Sequence, residues 1–211
     1  MMYVNRFMIK QDMPYELRMK VRRYLDYIFE SKKDVKVEEG DVFNLLNEGL
    51  RDKIHIHLRG RILKKINFIC EFGLDFLSEL PHYLGKASFV ADDFIFMEGD
   101  TAESVYYIHI GKVAMIHKSS RTFVIDLNKE KYFGELGLLS GDPRTLSAKS
   151  RDFTEVFTLN KTNFELISEN YIDAMRAIRK IKDGLDKKDY NPIRMKCYIC
   201  DMNHLALDCP Q

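Results

Sequence analysis

The segment FGELGLLSGDPRTLSAKS, residues 133–150, constrains this chain more than any other stretch. Phe133 leads into two closely spaced glycines, Gly134 and Gly137, with Glu135 and Leu136 between them and Arg144 further on. Glycine lets backbone approach closely, so the stretch reads as strand, tight turn and short helix. Residues after Glu135 can aim unpaired N–H groups at an anion, and Arg144 can add a charge-assisted grip. Pro143 restrains Asp142 and sets the turn that presents the arginine. A small ligand carrying both a ribose and a phosphate suits that set.

Upstream, residues 94–116 read FIFMEGDTAESVYYIHIGKVAMI, short apolar runs broken at Gly99-Asp100 and at Gly111. Alternation at Val105 and Tyr107, and again at Val113 and Met115, has the period of half-buried strands. Taken together, the two segments resemble the cyclic-nucleotide-binding domain of kinase regulatory subunits, bacterial catabolite activators and gated channels. The resemblance implies an α+β fold, a jelly-roll-like β-roll with flanking helices and a C-terminal lid helix. It also implies that Glu135 holds the ribose 2′-hydroxyl and Arg144 the cyclic phosphate, with Phe133, Gly134, Leu136 and Thr145 completing the ligand site. A threonine at position 145 is associated in gated channels with the guanine of cGMP, while kinase-type sites carry alanine. Both cAMP and cGMP therefore remain open as ligands.

Charge is balanced overall but unevenly distributed. Residues 1–65 hold 15 basic against 10 acidic side chains, residues 66–175 hold 10 against 17, and residues 176–196 hold 8 against 3. The binding domain is thus acidic, and an anionic ligand has to rely on Arg144 and local amides rather than a broad positive field. The basic ends suit headgroups, nucleic acid or acidic neighbours alike. No apolar run approaches the roughly 18 residues that cross a bilayer, and no signal peptide is visible, so the chain reads as soluble.

Before the β-roll the pattern is helical. Leu17, Val21, Tyr24, Leu25 and Ile28 fall at helical spacing after Pro14, which suits a first turn. A second helix is expected near Asp41, with Val42, Leu45, Leu46 and Leu50 on one face, and a third over residues 51–66 with Ile54, Leu58, Ile62 and Ile66. These helices show no evident core of their own, so they should pack on a partner or the next domain. Residues 5–31 and LNEGLRDKI, residues 46–54, resemble the linker joining pore and nucleotide domain in voltage-gated potassium and cyclic-nucleotide-gated channels. That likeness implies a homotetramer assembled through residues 1–66, attached to a membrane by a pore domain outside this chain. The expected domains are 1–66, the linker; 67–188, the nucleotide-binding domain; and 189–211, a short connection and metal knuckle.

A helical pair over residues 67–84 leads into the β-roll, expected over residues 88–159, and helices over 161–169 and 171–188 follow it. The last carries Ile178, Ile181 and Leu185 at three- and four-residue steps; Ile181 and Leu185 would face the base if this helix is the family's lid. Gly184 stands where hyperpolarisation-activated channels place a lid arginine, which leaves base selectivity open. Cys70 reads as a small buried hydrophobe.

Three of the four cysteines fall in the last fifteen residues. Cys197, Cys200, His204 and Cys209 form C-x2-C-x3-H-x4-C, three thiolates and an imidazole that would close a tetrahedral shell on one zinc ion. The pattern resembles the retroviral-type zinc knuckle with one residue fewer before the histidine. Asn203 occupies the usual glycine position, where tolerance of left-handed backbone would help. Tyr198, Arg194 and Lys196 could stack and neutralise a nucleic acid; a structural or partner-binding clip is the alternative.

No nucleophile–base pair is evident, and the chain does not read as an enzyme. The sequence points to the cytosolic regulatory region of a tetrameric cation channel, potassium-selective by resemblance, lying at the cytoplasmic face of a membrane. A soluble cyclic-nucleotide-responsive regulatory subunit and an RNA-binding protein using the knuckle are the alternatives.

Overall fold

A computed structural model of the chain describes residues 2–31, 45–117, 122–193, 195–200 and 202–210. It divides into two compact units, Met1–Arg61 and Ile62–Gln211.

The first unit is helical. Helix α1 (Met2–Lys10) ends where Asp12 adopts a left-handed backbone and the Met13 amide reaches the Met8 carbonyl at 3.1 Å. This closing bond is a common helix stop, and a short acidic side chain tolerates it. Helix α2 (Tyr15–Ser31) starts directly after Pro14, whose carbonyl accepts from the Arg18 amide. Helix α3 (Glu48–Leu63) starts three residues before the third helix expected from residue 51 and runs without a break through Leu50–Arg51. Asn47 is the reason: its side-chain oxygen accepts from the Leu50 amide at 2.9 Å, a helix cap. The expected start near Asp41, and Val42 with it, lies outside the described residues, as do the side chains of Tyr24 and Ile28.

The expectation that these helices lack a core does not hold. Val4, Met8, Met13, Val21, Leu25, Leu46 and Ile54 bury together. The turn at Asp12 sets α1 against α2, a juxtaposition invisible to helix-by-helix periodicity.

The second unit is the expected α+β β-roll. Its lead-in is broken: a 3-10 turn at Ile69–Phe72, helix α4 (Leu74–Glu79) and a 3-10 turn at Leu80–Tyr83. The Cys70 side chain lies outside those described. Among the described residues eight strands follow: β1 (Leu84–Phe89), β2 (Phe94–Phe96), β3 (Ser104–Ile110), β4 (Lys112–His117), β5 (Thr122–Asn128), β6 (Tyr132–Phe133), β7 (Ser147–Ser150) and β8 (Thr154–Asn160). They form two antiparallel four-stranded sheets, β1-β8-β3-β6 and β2-β7-β4-β5. The roll begins four residues earlier than its alternation indicates, because Leu84–Phe89 pairs with β8 from Leu84↔Leu159 to Phe89↔Thr154. Pairing, not pattern, makes the glycine- and lysine-bearing LGKASF a strand.

Ile108, Val113, Met115, Leu127, Phe133, Leu146, Ala148 and Val156 bury between the sheets. Helix α5 (Glu135–Ser140) interrupts the roll after β6. After β8, Asn160 both ends the strand and caps helix α6 (Lys161–Ser168), accepting from the Thr162 amide at 2.8 Å. Helix α7 (Ile172–Asp186) follows. A second core, rich in Phe68, Phe72, Phe76 and Phe164, joins these helices to one face of the roll; Ile181 is buried in it and Leu185 packs against it.

Gly184 has a structural use in α7. A Cβ there would lie 2.9 Å from Pro192 Cγ, so the glycine lets the chain beyond the helix fold back on it. That return brings residues 195–206 to the mouth of the roll.

Candidate functional site

Gly134 opens the site. It joins β6 to α5 at φ 84°, a left-handed conformation that glycine adopts freely. A Cβ there would also lie 2.7 Å from Arg144 Nη1. Gly137 is as constrained, since its Cβ would meet Ala102 Cβ at 2.1 Å. Both glycines are therefore required by the packing of this turn.

Arg144 lies inside the protein, 5% exposed. Its Nη1 donates to the Gly134 carbonyl at 2.9 Å and its Nη2 to the Ser104 carbonyl at 2.6 Å. The guanidinium sits 4.2 Å from the Phe96 ring centroid and 5.7 Å from that of Tyr106. Tyr106 in turn stacks on Phe133 at 5.2 Å. Backbone bonds between Arg144 and Gly99 and between Arg144 and Asp100 anchor the residue's main chain. Burial pushes the guanidinium below its ordinary value, opposed by Tyr106 and Glu135. No carboxylate bonds to it among the described residues, and its Nε has no partner. A buried guanidinium without an anion is costly, and an incoming anion would offset that cost.

Glu135 is equally buried, at 5% exposure, and its Oε2 lacks a hydrogen-bond partner. Burial raises its pKa to about 7, against the smaller opposing effects of its own backbone amide and of Arg144. A carboxyl in that condition is suited to accept a ligand hydroxyl.

Glu135 and Arg144 line one cavity with Gly134, Leu136, Thr145 and Phe96. Phe133 does not line it; its ring is fully buried in the core behind. Neither do Ile181 and Leu185, which face the helix-side core. The opposite wall comes from Met195, Tyr198, Leu205 and Ala206. Those four, with Phe96 and Ser104, were not foreseen as part of the expected ligand site. The available signal was the density of apolar residues among the C-terminal metal ligands, more than a solvated knuckle can leave uncovered. The cavity between the walls is only about 40 Å³, whereas ligand pockets usually measure about 300–1,000 Å³. A more open cleft of about 600 Å³ lies on the other side of Tyr198 and also reaches Glu135. Burial pushes the Tyr198 phenol well above its usual range, with Glu135 and Tyr132 adding to the effect.

The C-terminal ligands converge as the spacing predicts. The donor atoms of Cys197, Cys200, His204 and Cys209 lie within 4.8 Å of one another, with Cys200 Sγ 3.3 Å from His204 Nε2. Tetrahedral zinc with arms of about 2.0–2.3 Å needs ligand atoms about 3.5–3.8 Å apart, so the set fits that ion after small adjustments. The three cysteines are free thiols. Burial raises the Cys197 thiol, but the Cys200 and Ile199 amides together with the Cys200 and Cys209 thiols bring the net direction down. Asn203 does not use the left-handed backbone expected of it. Its side chain instead accepts from the Tyr190 amide at 3.1 Å and donates to Asp189 at 3.2 Å, tying the cluster to the end of α7. Arg194, a proposed phosphate contact, lies outside the described residues.

The site is thus a two-sheet roll with a buried arginine facing a buried carboxyl at the start of a glycine-led short helix. Comparisons with known proteins supply its class. The family model described as "Cyclic nucleotide-binding domain" matches residues 86–171. Human cyclic nucleotide-gated channel alpha-3 is 29% identical over 185 residues, 84% of this chain and 26% of that protein. Cyclic nucleotide-gated channel alpha-2 of Bos taurus is 30% identical over 196 residues, 86% of this chain and 29% of that protein. Potassium/sodium hyperpolarization-activated cyclic nucleotide-gated channel 1 of Oryctolagus cuniculus is 26% identical over 204 residues, 95% of this chain and 22% of that protein. The chain therefore carries a cyclic nucleotide-binding domain homologous to those of gated channels, and spans about a quarter of the length of these curated relatives. No helix among the described residues is long and apolar enough to cross a membrane.

Proposed function

We propose that this chain is the nucleotide-sensing region of a tetrameric cation channel, lying at the cytoplasmic face of a membrane. In this reading cAMP or cGMP places its cyclic phosphate at Arg144 and its ribose at Glu135, with Gly134, Leu136 and Thr145 around it. Residues 1–66 assemble the homotetramer and carry the signal to a pore, potassium-selective in the simplest case. One zinc ion fills the Cys197, Cys200, His204 and Cys209 set.

The buried guanidinium of Arg144, which pairs with no carboxylate among the described residues, and the unpartnered Glu135 oxygen carry the reading. Similarity to gated channels along 84–95% of the chain, linker included, supports the channel context. Mechanism follows from linkage: nucleotide that prefers one arrangement of the roll biases the gate by about 1–3 kcal/mol. An RNA-binding role finds less support, because Tyr198, the base-stacking candidate, turns inward against the β-roll core.

Calorimetry with cAMP and cGMP tests the ligand. Arg144→Ala should weaken binding about ten- to hundredfold, the worth of a charged hydrogen bond. Light scattering of the purified chain tests the tetramer, and a monomer at every concentration would remove residues 1–66 as the assembly element.

A further inference from the structure

The wall facing Arg144 and Glu135 is built from the metal-binding segment itself. Tyr198 directly follows Cys197, and Leu205 directly follows His204, so two wall residues adjoin two metal ligands in the chain. Tyr198 and Ala206 pack against the inter-sheet core, Met195 and Leu205 against the helix-side core. The segment leaves about 40 Å³ in the pocket, far below the usual volume of a ligand site. With Met195, Tyr198, Leu205 and Ala206 in place, the pocket is too small for a nucleotide seated at Arg144. Among the described residues, Asn203 bonds to Asp189 and Tyr190, and the Met195 amide to the Tyr190 carbonyl at 3.2 Å, outside the thiol–imidazole cluster.

We propose that the Cys197–Cys200–His204–Cys209 clip is a metal-set plug, which when loaded with zinc holds Tyr198 and Leu205 in the nucleotide pocket. Zinc and cyclic nucleotide then oppose each other. Zinc restrains the segment within the pocket; nucleotide displaces it and pulls the ligand set apart. This inference rests on the nucleotide reading of the Glu135–Arg144 site. It adds a second input, zinc availability or thiol oxidation, since either metal loss or loss of a thiolate releases the plug.

The test uses the 211-residue chain in reducing buffer, metal-stripped or loaded with one equivalent of zinc, titrated with cAMP and with cGMP. Zinc should weaken nucleotide binding by about 5- to 150-fold, the usual range for coupled sites, and saturating nucleotide should weaken zinc binding by the same factor. Cys200→Ser should bind nucleotide as the stripped protein does, with or without zinc. Tyr198→Ala should bind zinc yet lose most of the antagonism, while Tyr198→Phe keeps it; circular dichroism checks that both fold. Equal nucleotide affinity with and without zinc overturns the plug, as does a full zinc effect in Tyr198→Ala. If no form binds either nucleotide, the nucleotide reading fails, and hydrogen exchange judges the plug separately. Amides of residues 134–139 and 144–146 should be more protected with zinc than without; unchanged protection overturns it.

Discussion

The pocket's two walls are built on opposite principles. On the roll side, Arg144 and Glu135 are buried, the guanidinium lying over Phe96 and Tyr106; helix α5 carries the Glu135 backbone, and bonds to Gly99 and Asp100 hold that of Arg144. On the clip side, Met195, Tyr198 and Leu205 are only partly buried and follow a turn-rich path without paired strands. The first wall owes its shape to an extensive core; the second rests on the margins of that core through Met195, Tyr198, Leu205 and Ala206, with four ligand side chains and a few hydrogen bonds. Regions of low local stability are those that open. In the proposed reading, this difference gives recognition to the roll and movement to the clip.

The sharpest way to break that contrast is to remove metal. Small Cys/His sites bind zinc with about 10–16 kcal/mol of apparent free energy at pH 7. Chelation should therefore erase amide protection over residues 196–209 while strands β3, β4 and β8 keep theirs in hydrogen exchange. Equal loss in both regions would mean that the walls are one cooperative unit.

Next in size is the core behind the arginine. Phe133→Ala removes a fully buried ring from the inter-sheet core and should destabilise the roll by about 3–5 kcal/mol in urea unfolding. The zinc affinity of the clip should change far less. A comparable drop in zinc affinity would tie the clip to the roll's stability.

A pH experiment sharpens the roll side further. Glu135 has a pKa raised to about 7, so the folded state holds its proton where the unfolded chain has released it. The stabilisation is fully present below about pH 4.5 and is lost as pH rises through 7, with a slope of up to about 1.4 kcal/mol per pH unit. Glu135→Gln should flatten this fall and be more stable than the parent at pH 8. A variant with the parent's pH profile would show that another group titrates.

The smallest effect belongs to the clip's tether. Asn203→Ala loses bonds to Tyr190 and Asp189, worth about 1 kcal/mol. It should speed exchange in residues 196–204 severalfold without moving the melting temperature of the roll. A shifted melting temperature would contradict the separation of the two walls.

Particular elements show why some of this was legible in advance. The pairing of Arg144 with the Gly134 turn is made within a dozen residues and is legible locally, whereas Gly137 answers to Ala102 and Arg144 also bonds to Ser104, both far away in the chain. The ligand spacing from Cys197 to Cys209 is local in the same way, and the donor atoms do meet. The start of α3 at Asn47 was readable as a cap but hidden by the apolar spacing before it. Strand β1 was missed because LGKASF becomes a strand only through β8, some seventy residues away. Ile181 and Leu185 share a helical stripe with any packed helix, and periodicity could not say which surface would cover it.

Residue order alone determined the nucleotide module and the metal set, since each is a short-range arrangement whose backbone turns and donor spacing are written in adjacent residues. Only the tertiary structure decided that the second sits in the mouth of the first. That contact joins segments some fifty to a hundred residues apart, and it arises from apolar side chains seeking burial, a force without direction or register that no local pattern records.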